Sequence, residues 1–116
     1  MIIETHYDSK LGIDLKISIG SSAQENWDII KDSKQNDIWF HLQKRSSPHV
    51  VINLPKKTKI KDISSTTIKY AATLCKVNSA WKNHKVVTVM YTYIKNVRYG
   101  EDIGSVYTSG SMIVSV

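Results

Sequence analysis

The stretch Asp37-Ile38-Trp39-Phe40-His41-Leu42 alternates between two kinds of side chain, and this alternation decides the fold. In a β-strand, successive side chains point to opposite faces of the sheet. One face then carries three large apolar side chains, which predicts a strand in a hydrophobic core. The other face carries Asp37, Trp39 and His41, groups that are costly to bury unless they are hydrogen-bonded. This second face is therefore either a polar cluster that belongs to the fold or a binding surface.

Further strands are predicted where apolar residues alternate with polar ones or are β-branched, namely at 13–19, 49–54, 86–94, 105–108 and 112–116. A six-residue loop separates the 37–42 and 49–54 strands, so these two predict a hairpin. The 86–94 strand is apolar on both faces, as is typical of a central strand. The last two strands are expected to form a final hairpin around Ser109-Gly110.

Two helices are predicted between the strands. Ser22 and Glu25 have the spacing of a capping box, which indicates a short helix from about Ala23 to Asp32. Apolar residues recur at helical spacing over 62–77, which predicts the main helix. Runs of strands with two inserted helices indicate a single α+β domain over residues 1–116. We expect an antiparallel or mixed β-sheet with both helices packed largely on one face.

The chain of 116 residues has a net charge of +6, and this charge is unevenly distributed. Ten Lys or Arg residues and a single Asp lie between Lys44 and Lys85, so this segment carries +9 and the remainder carries −3. Lysines can be simply solvated surface residues, but such an asymmetry is typical of a domain that binds a polyanion through one positive face.

Several functional classes lack the residues that they require. The single cysteine, Cys75, excludes an internal disulfide and a multi-cysteine zinc site, and it fits a reducing compartment. The histidines include no His-x-x-x-His pair, and no glycine-rich phosphate motif is present. We therefore expect no metal and no cofactor. Because neither a secretory signal nor a membrane-spanning stretch is recognised, we also expect no membrane partner and a cytoplasmic location, with the nucleus as the alternative.

The candidate site combines stacking, hydrogen-bonding and cationic side chains. Trp39 is a candidate platform for bases, while His41 and His49 could donate to phosphates or base edges. We expect these histidines to contact phosphate as imidazolium ions below about pH 6.5, with Asp37 beside them favouring the charged form. The predicted cationic contacts are Lys44, Arg45, Lys56, Lys57, Lys59, Lys61, Lys95 and Arg98.

The ordered motifs of this chain resemble those of the NFACT-R domain. The resemblance rests on Gly20, Gln24-Glu25-Asn26, Asp37-Ile38-Trp39-Phe40-His41, Pro48-His49-Val50-Val51-Ile52, Ala71-Ala72, Tyr91-Thr92-Tyr93-Ile94-Lys95-Asn96-Val97-Arg98 and Gly104-Ser105-Val106, and it covers about residues 10–116. That family is the predicted RNA-binding domain of ribosome quality-control factors and of coiled-coil-domain-containing-25-like proteins. The chain departs from it at Ser21 and Tyr99, where members often carry a cation, and at Ser47, where they often have glycine.

The resemblance implies a non-catalytic module that binds structured RNA, either tRNA or ribosomal RNA, in translation or ribosome quality control. DNA is a further candidate partner. One alternative is a protein-interaction adaptor that docks on a ribosome-associated complex through Tyr91, Tyr93 or the final hairpin. A second alternative is an RNA-processing enzyme in which Asp37 orients His41, and His49 shares the acid and base steps. The family resemblance implies no catalytic activity, so no enzyme is expected.

Overall fold

The computed structural model describes all of residues 1–116. The elements follow in the order β1 (Ile2–Asp8), β2 (Ile13–Ile19), α1 (Ala23–Lys31), β3 (Ile38–Leu42), β4 (Val50–Ile52), α2 (Ser65–Val77), β5 (Thr88–Tyr93), β6 (Val97–Tyr99), β7 (Val106–Thr108) and β8 (Met112–Ser115). Short 3-10 helices occupy Ile60–Asp62 and Ile94–Asn96. Neither α-helix is long and apolar enough to cross a lipid bilayer.

Six strands form one antiparallel sheet in the order β1-β2-β4-β3-β5-β8, and β6 pairs with β7 in a small second sheet. The predicted hairpin of β3 and β4 is confirmed, with Ile38 opposite Ile52 and Phe40 opposite Val50. With two helices and an antiparallel sheet in one compact domain, the predicted α+β class is confirmed.

The helices cover opposite faces of the large sheet, so the prediction that both pack largely on one face is wrong. Alternate residues of β3, Ile38 and Phe40, pack against Ala71 and Ala72 of α2. Trp39 points the other way and packs with α1 in a second, smaller core. The physical reason is that the second face also carries large apolar side chains, Trp39 of β3 and Val51 of β4, which must be covered to remove them from water.

The final hairpin around Ser109-Gly110 is also not formed, because its two strands belong to different sheets. The β7 strand pairs with β6, and β8 pairs with β5 so that Val89 lies opposite Val114. One edge of β5 pairs with β3, and β8 satisfies the hydrogen-bonding groups of the opposite edge, which would otherwise be open. The local turn signal was thus outweighed by pairing with strands that come earlier in the chain.

Two further differences concern the start of the chain and of the main helix. Residues 2–8 form an additional edge strand, β1, in which Ile2 and Ile3 are exposed and the apolar pattern of a half-buried strand is missing. The α2 helix begins at Ser65, after the predicted start, because the Ser64 side chain accepts a hydrogen bond from the Thr66 N–H and caps it.

The first helix is capped as its sequence predicts. The Ser22 hydroxyl accepts a hydrogen bond from the Glu25 N–H, at 3.2 Å. The Glu25 carboxylate reaches back one residue further than a capping box requires and accepts from the Ser21 N–H at 2.8 Å. This hydrogen bond, the amino terminus of Met1 and the Ser21 hydroxyl lower the pKa of Glu25 to about 2. The cap fixes the start of α1 at the edge of the cleft described below.

Candidate nucleic-acid interface

Asp37, just before β3, is fully buried and is held by donors from two loops. Its carboxylate accepts hydrogen bonds from the Lys34 N–H (2.7 Å), the Leu54 N–H (2.9 Å) and Asn53 Nδ2 (2.9 Å). It makes no hydrogen bond to His41, and its partners are backbone N–H groups and the Asn53 side chain, as in a polar cluster that belongs to the fold. Because it is buried, Asp37 has no surface in this structure through which to contact RNA.

Trp39 is a core residue in this structure. Its side chain is only 1% exposed and packs with Ile29 and Ile30 of α1 and with Val51 of β4. The indole Nε1 donates a hydrogen bond to Nδ1 of His49, at 2.9 Å. A nucleobase can stack only on an accessible ring. The predicted stacking platform at Trp39 is therefore covered by α1.

His49 is buried between Trp39 and His41, with 2% of its surface exposed. Its Nδ1 accepts the indole hydrogen bond, so the proton of the neutral ring lies on Nε2. Burial and the adjacent His41 lower the pKa of His49 to about 3, although a hydrogen bond with the Gly104 backbone acts in the opposite direction. His49 is consequently a neutral hydrogen-bonding group near pH 7.

His41 is half-buried, and its ring lies parallel to that of Trp39 with the centroids 5.7 Å apart. Its Nδ1 donates a 2.6 Å hydrogen bond to the carbonyl oxygen of Leu42. Burial lowers the pKa of His41, although this hydrogen bond favours the charged form. Both imidazoles are therefore neutral near pH 7, and the predicted imidazolium contact with phosphate does not fit their environment.

A cleft of about 800 Å³ opens beside the two imidazoles. Its walls come from the start of α1, the loop between β3 and β4, the segment after α2 and the turn before β7. Apart from Ile2, Asn26 and His41, the lining residues lie at 19–23, 46–49, 78–81 and 103–105. At the rim, the Arg45 guanidinium lies 4.0 Å from the centroid of the Trp81 ring. The cleft thus offers hydrogen-bonding groups and an aromatic wall.

A second cavity, of about 410 Å³, lies at the opposite end of β3. Ile38 at that end pairs with Ile52 and Tyr93, so the chain segments that follow β4 and β5 meet there. The lining residues are three cations and four uncharged polar groups, namely Lys57, Lys59, Lys95, Gln35, Asn36, Thr58 and Tyr93. No acidic residue lines this cavity, so it is a place where an anion can be held.

The loop that carries the lysines of this second cavity is fixed by side-chain hydrogen bonds. Asn36 Nδ2 donates to the carbonyl oxygens of Pro55 (2.9 Å) and Thr58 (3.0 Å). The Ile60 N–H donates to the Tyr93 hydroxyl oxygen at 2.8 Å. Lys57 sits in the left-handed region with φ of 63°, a conformation that this scaffold maintains. These hydrogen bonds therefore fix the main chain of the loop that carries Lys57 and Lys59 at a defined position beside β5.

All eight predicted cations are exposed, but the structure does not gather them around Trp39. Lys44 and Arg45 lie in the loop that ends at the cleft. Lys57, Lys59 and Lys95 surround the second cavity, and Lys56 and Lys61 belong to the loop beside it. Arg98 lies on β6 in the small sheet. These eight cations thus lie at three places: the loop between β3 and β4, the second cavity with the loop beside it, and β6.

Sequence reasoning missed three groups that the fold brings to these cavities. Trp81 reaches the cleft from the segment after α2, and Asn26 reaches it from α1. Tyr93, considered only as an adaptor residue, lines the lysine cavity. A tryptophan in the largely polar stretch 78–85 is a signal that could have identified Trp81, although part of its ring also packs against the main core. No three His, Cys, Asp or Glu side chains converge so as to hold a metal ion.

Comparison with known proteins gives relatives for both the sequence and the fold. Residues 6–115 match the family described as the NFACT protein RNA binding domain. Coiled-coil domain-containing protein 25 of Mus musculus is 39% identical over 89 residues, which are 75% of this chain and 42% of the relative. Its Dictyostelium discoideum homologue is 31% identical over 98 residues, 84% of this chain and 44% of the relative. The chain thus spans less than half the length of these relatives.

A solved structure shows the same fold over the whole chain. The C-terminal part of the fibronectin/fibrinogen-binding protein from Streptococcus suis superposes with a TM-score of 0.81 and covers 100% of this chain and 45% of that one. The two sequences are 22% identical over this region, so the similarity concerns the fold alone.

Proposed function

The chain belongs to the family of NFACT protein RNA-binding domains, and from this premise we propose that it is a non-catalytic module for structured RNA in the cytoplasm. We place the RNA among tRNA and ribosomal RNA, in translation or ribosome quality control, with DNA as the competing nucleic acid. The observation that carries the proposal is the lysine cavity, in which Lys57, Lys59 and Lys95 come from two chain segments and no acidic residue is present.

A phosphodiester backbone suits this cavity for electrostatic and geometric reasons. Each phosphate that a lysine neutralises releases counterions, so the affinity depends on salt. Structured RNA presents phosphates at fixed separations, and the loop that carries Lys57 and Lys59 is fixed by Asn36 and by the Tyr93 hydroxyl. A preorganised set of cations loses less conformational entropy when it binds a preorganised set of anions.

The two alternatives receive less support from the geometry. An RNA-processing enzyme would need a carboxylate to orient its histidine, but the Asp37 carboxylate is bonded to Lys34, Asn53 and Leu54. Of the two surfaces named for an adaptor, the tyrosines are engaged within the fold, because Tyr91 stacks on Phe40 and the Tyr93 hydroxyl accepts from the Ile60 N–H. The other surface, the final hairpin, is not formed as a hairpin. Ribosome-associated proteins remain the partner class of that second alternative.

The test compares the RNA affinity of two double variants, one that removes two lysines of the lysine cavity and one that removes two lysines elsewhere on the surface. We expect Lys57→Ala with Lys59→Ala to weaken binding of a tRNA and to reduce the slope of log K against log salt by roughly 0.7 to 0.9 per lost contact. Lys69→Ala with Lys82→Ala removes the same charge at exposed positions that line neither cavity. Equal losses for both double variants would show that net charge alone drives binding and would refute the assignment to the lysine cavity.

A further inference from the structure

The cleft beside His41 and His49 has no charged residue in its lining, although the protein carries a net charge of +6. Its volume of about 800 Å³ falls in the usual range of ligand pockets, roughly 300 to 1,000 Å³. A phosphate group would find no cation in this lining, whereas a neutral polar group would find hydrogen-bonding partners. The two ends of β3 thus present different chemistry to a bound molecule: cations line the lysine cavity, whereas the lining of the cleft is uncharged and its nearby cation, Arg45, lies at the rim.

Hydrogen-bonding atoms on both sides of the cleft are left free by the fold. His41 Nδ1 donates to Leu42, so the Nε2 atom of the neutral ring has no partner in the protein and is an acceptor. Asn26 Oδ1 accepts from the His49 N–H at 3.1 Å, which leaves the Nδ2 donors of Asn26 without a partner. An acceptor and a donor in one uncharged cleft match the edge of a nucleobase, which also presents donors and acceptors side by side.

The rim of the cleft supplies a stacking surface. Arg45 lies over the Trp81 ring with its guanidinium carbon 4.0 Å from the ring centroid. Arginine planes and aromatic rings are the groups on which unpaired bases stack in protein complexes. Trp81 packs in part against the main core, and the His84 ring lies edge-on to it with centroids 4.8 Å apart. Arg45 covers a face of the indole and is exposed, so its guanidinium, backed by Trp81, is accessible where the covered Trp39 is not.

We propose that the cleft binds an unpaired nucleobase of the RNA, which stacks on the Arg45–Trp81 pair and forms hydrogen bonds with His41 and Asn26. This inference rests on the proposed RNA-binding function and deepens it. The lysine cavity holds phosphates at one end of β3, and the cleft accepts a single-stranded base at the other end. The protein then distinguishes RNA with an unpaired segment from a plain duplex.

The experiment uses the full chain and three RNA hairpins that share one stem. The first hairpin has a blunt end, the second has a short unpaired 3′ extension, and the third has the same extension without bases. The abasic extension keeps the phosphates, so it is the matched control for electrostatic gain. We expect wild type to bind the extension with bases about 5-fold to about 150-fold more tightly than the abasic one, the range for stacking one base.

Two cleft variants should abolish this preference. Trp81→Leu removes the aromatic surface, and His41→Phe removes the Nε2 acceptor while keeping a ring against Trp39. We expect both to bring the ratio of affinities close to one and to leave the affinity for the blunt hairpin unchanged. Lys57→Ala is the opposite control. It should lower the affinity for all three hairpins by the same factor and leave the ratio of affinities for the extensions with and without bases unchanged.

A measurement on wild type keeps the inference testable if a variant fails to fold. A photoreactive 4-thiouridine in the unpaired extension should cross-link to residues in 41–49 or 78–84. Equal affinity for extensions with and without bases, or cross-links confined to other segments, would overturn the cleft assignment while the salt-dependent RNA binding stands. A chain that binds none of the hairpins at low salt would instead refute the proposed function itself, and the cleft assignment with it.

Discussion

Acidification should destabilise this protein through His49, which the fold keeps neutral. Burial and the adjacent His41 lower the pKa of His49 to about 3 in the folded protein, whereas a histidine in the unfolded chain titrates near 6.5. The unfolded state therefore takes up a proton below about pH 6.5 that the folded state does not. The contribution of His49 to the free energy of unfolding is therefore fully present above about pH 6.5. It decreases as the pH falls toward the pKa of His49 in the folded protein.

The size of the effect follows from this difference in pKa. Each pH unit between the two values lowers the free energy of unfolding by about 1.4 kcal/mol, so the loss between about pH 7 and about pH 4.5 is about 2.5 kcal/mol. That is a large fraction of the roughly 5 to 15 kcal/mol that stabilises an ordinary domain. His49 alone would therefore account for much of the acid sensitivity in this range.

The assay is urea unfolding followed by circular dichroism at a series of pH values, for wild type and for His49→Asn. The Asn side-chain oxygen can still accept from the Trp39 indole, but it does not titrate. We expect wild type to lose stability more steeply than the variant, with a difference in slope approaching 1.4 kcal/mol per pH unit. Parallel pH profiles for the two proteins would refute the argument that His49 is neutral because it is buried.

Three other substitutions test the interpretation of the site as scaffold or surface. Trp39→Ala should lower stability by about 3–5 kcal/mol, since it deletes a large buried aromatic, and an unchanged melting temperature would show that the indole is accessible. Asp37→Ala leaves the Leu54 N–H and two other donors unpaired, so thermal unfolding should show a loss of about 2–5 kcal/mol; a loss below about 1 kcal/mol would contradict this. Gly104→Ala should destabilise by about 1–3 kcal/mol and speed amide exchange at the start of α1, because its φ is +89° and the added Cβ would lie 2.9 Å from α1. Gly110→Ala is the matched control, with φ of +59° but a nearest atom 3.6 Å away, and an equal effect of both changes would show that steric contact with α1 is unimportant.

The sequence by itself predicted the elements whose signals are local. The period-two alternation at 37–42 and the loop of six residues after it predicted the β3–β4 hairpin. Closing so short a loop costs little conformational entropy, so the two strands on either side of it pair readily. Ser22 and Glu25 predicted the start of α1 because a capping hydroxyl bonds to a backbone N–H three residues away. The order of the motifs resembled the NFACT-R family, and the match over residues 6–115 confirms that resemblance.

Only the tertiary structure decided how far the second face of β3 is covered. Alternation shows that Trp39 and His41 share a face, but it cannot show that α1 covers Trp39 and leaves His41 half-buried. The pairing of β8 with β5, and the meeting of Arg45 with Trp81, likewise join residues far apart in the chain. Such contacts form because each apolar face and each open strand edge must be covered by whichever distant segment fits it, and a local pattern carries no information about that segment.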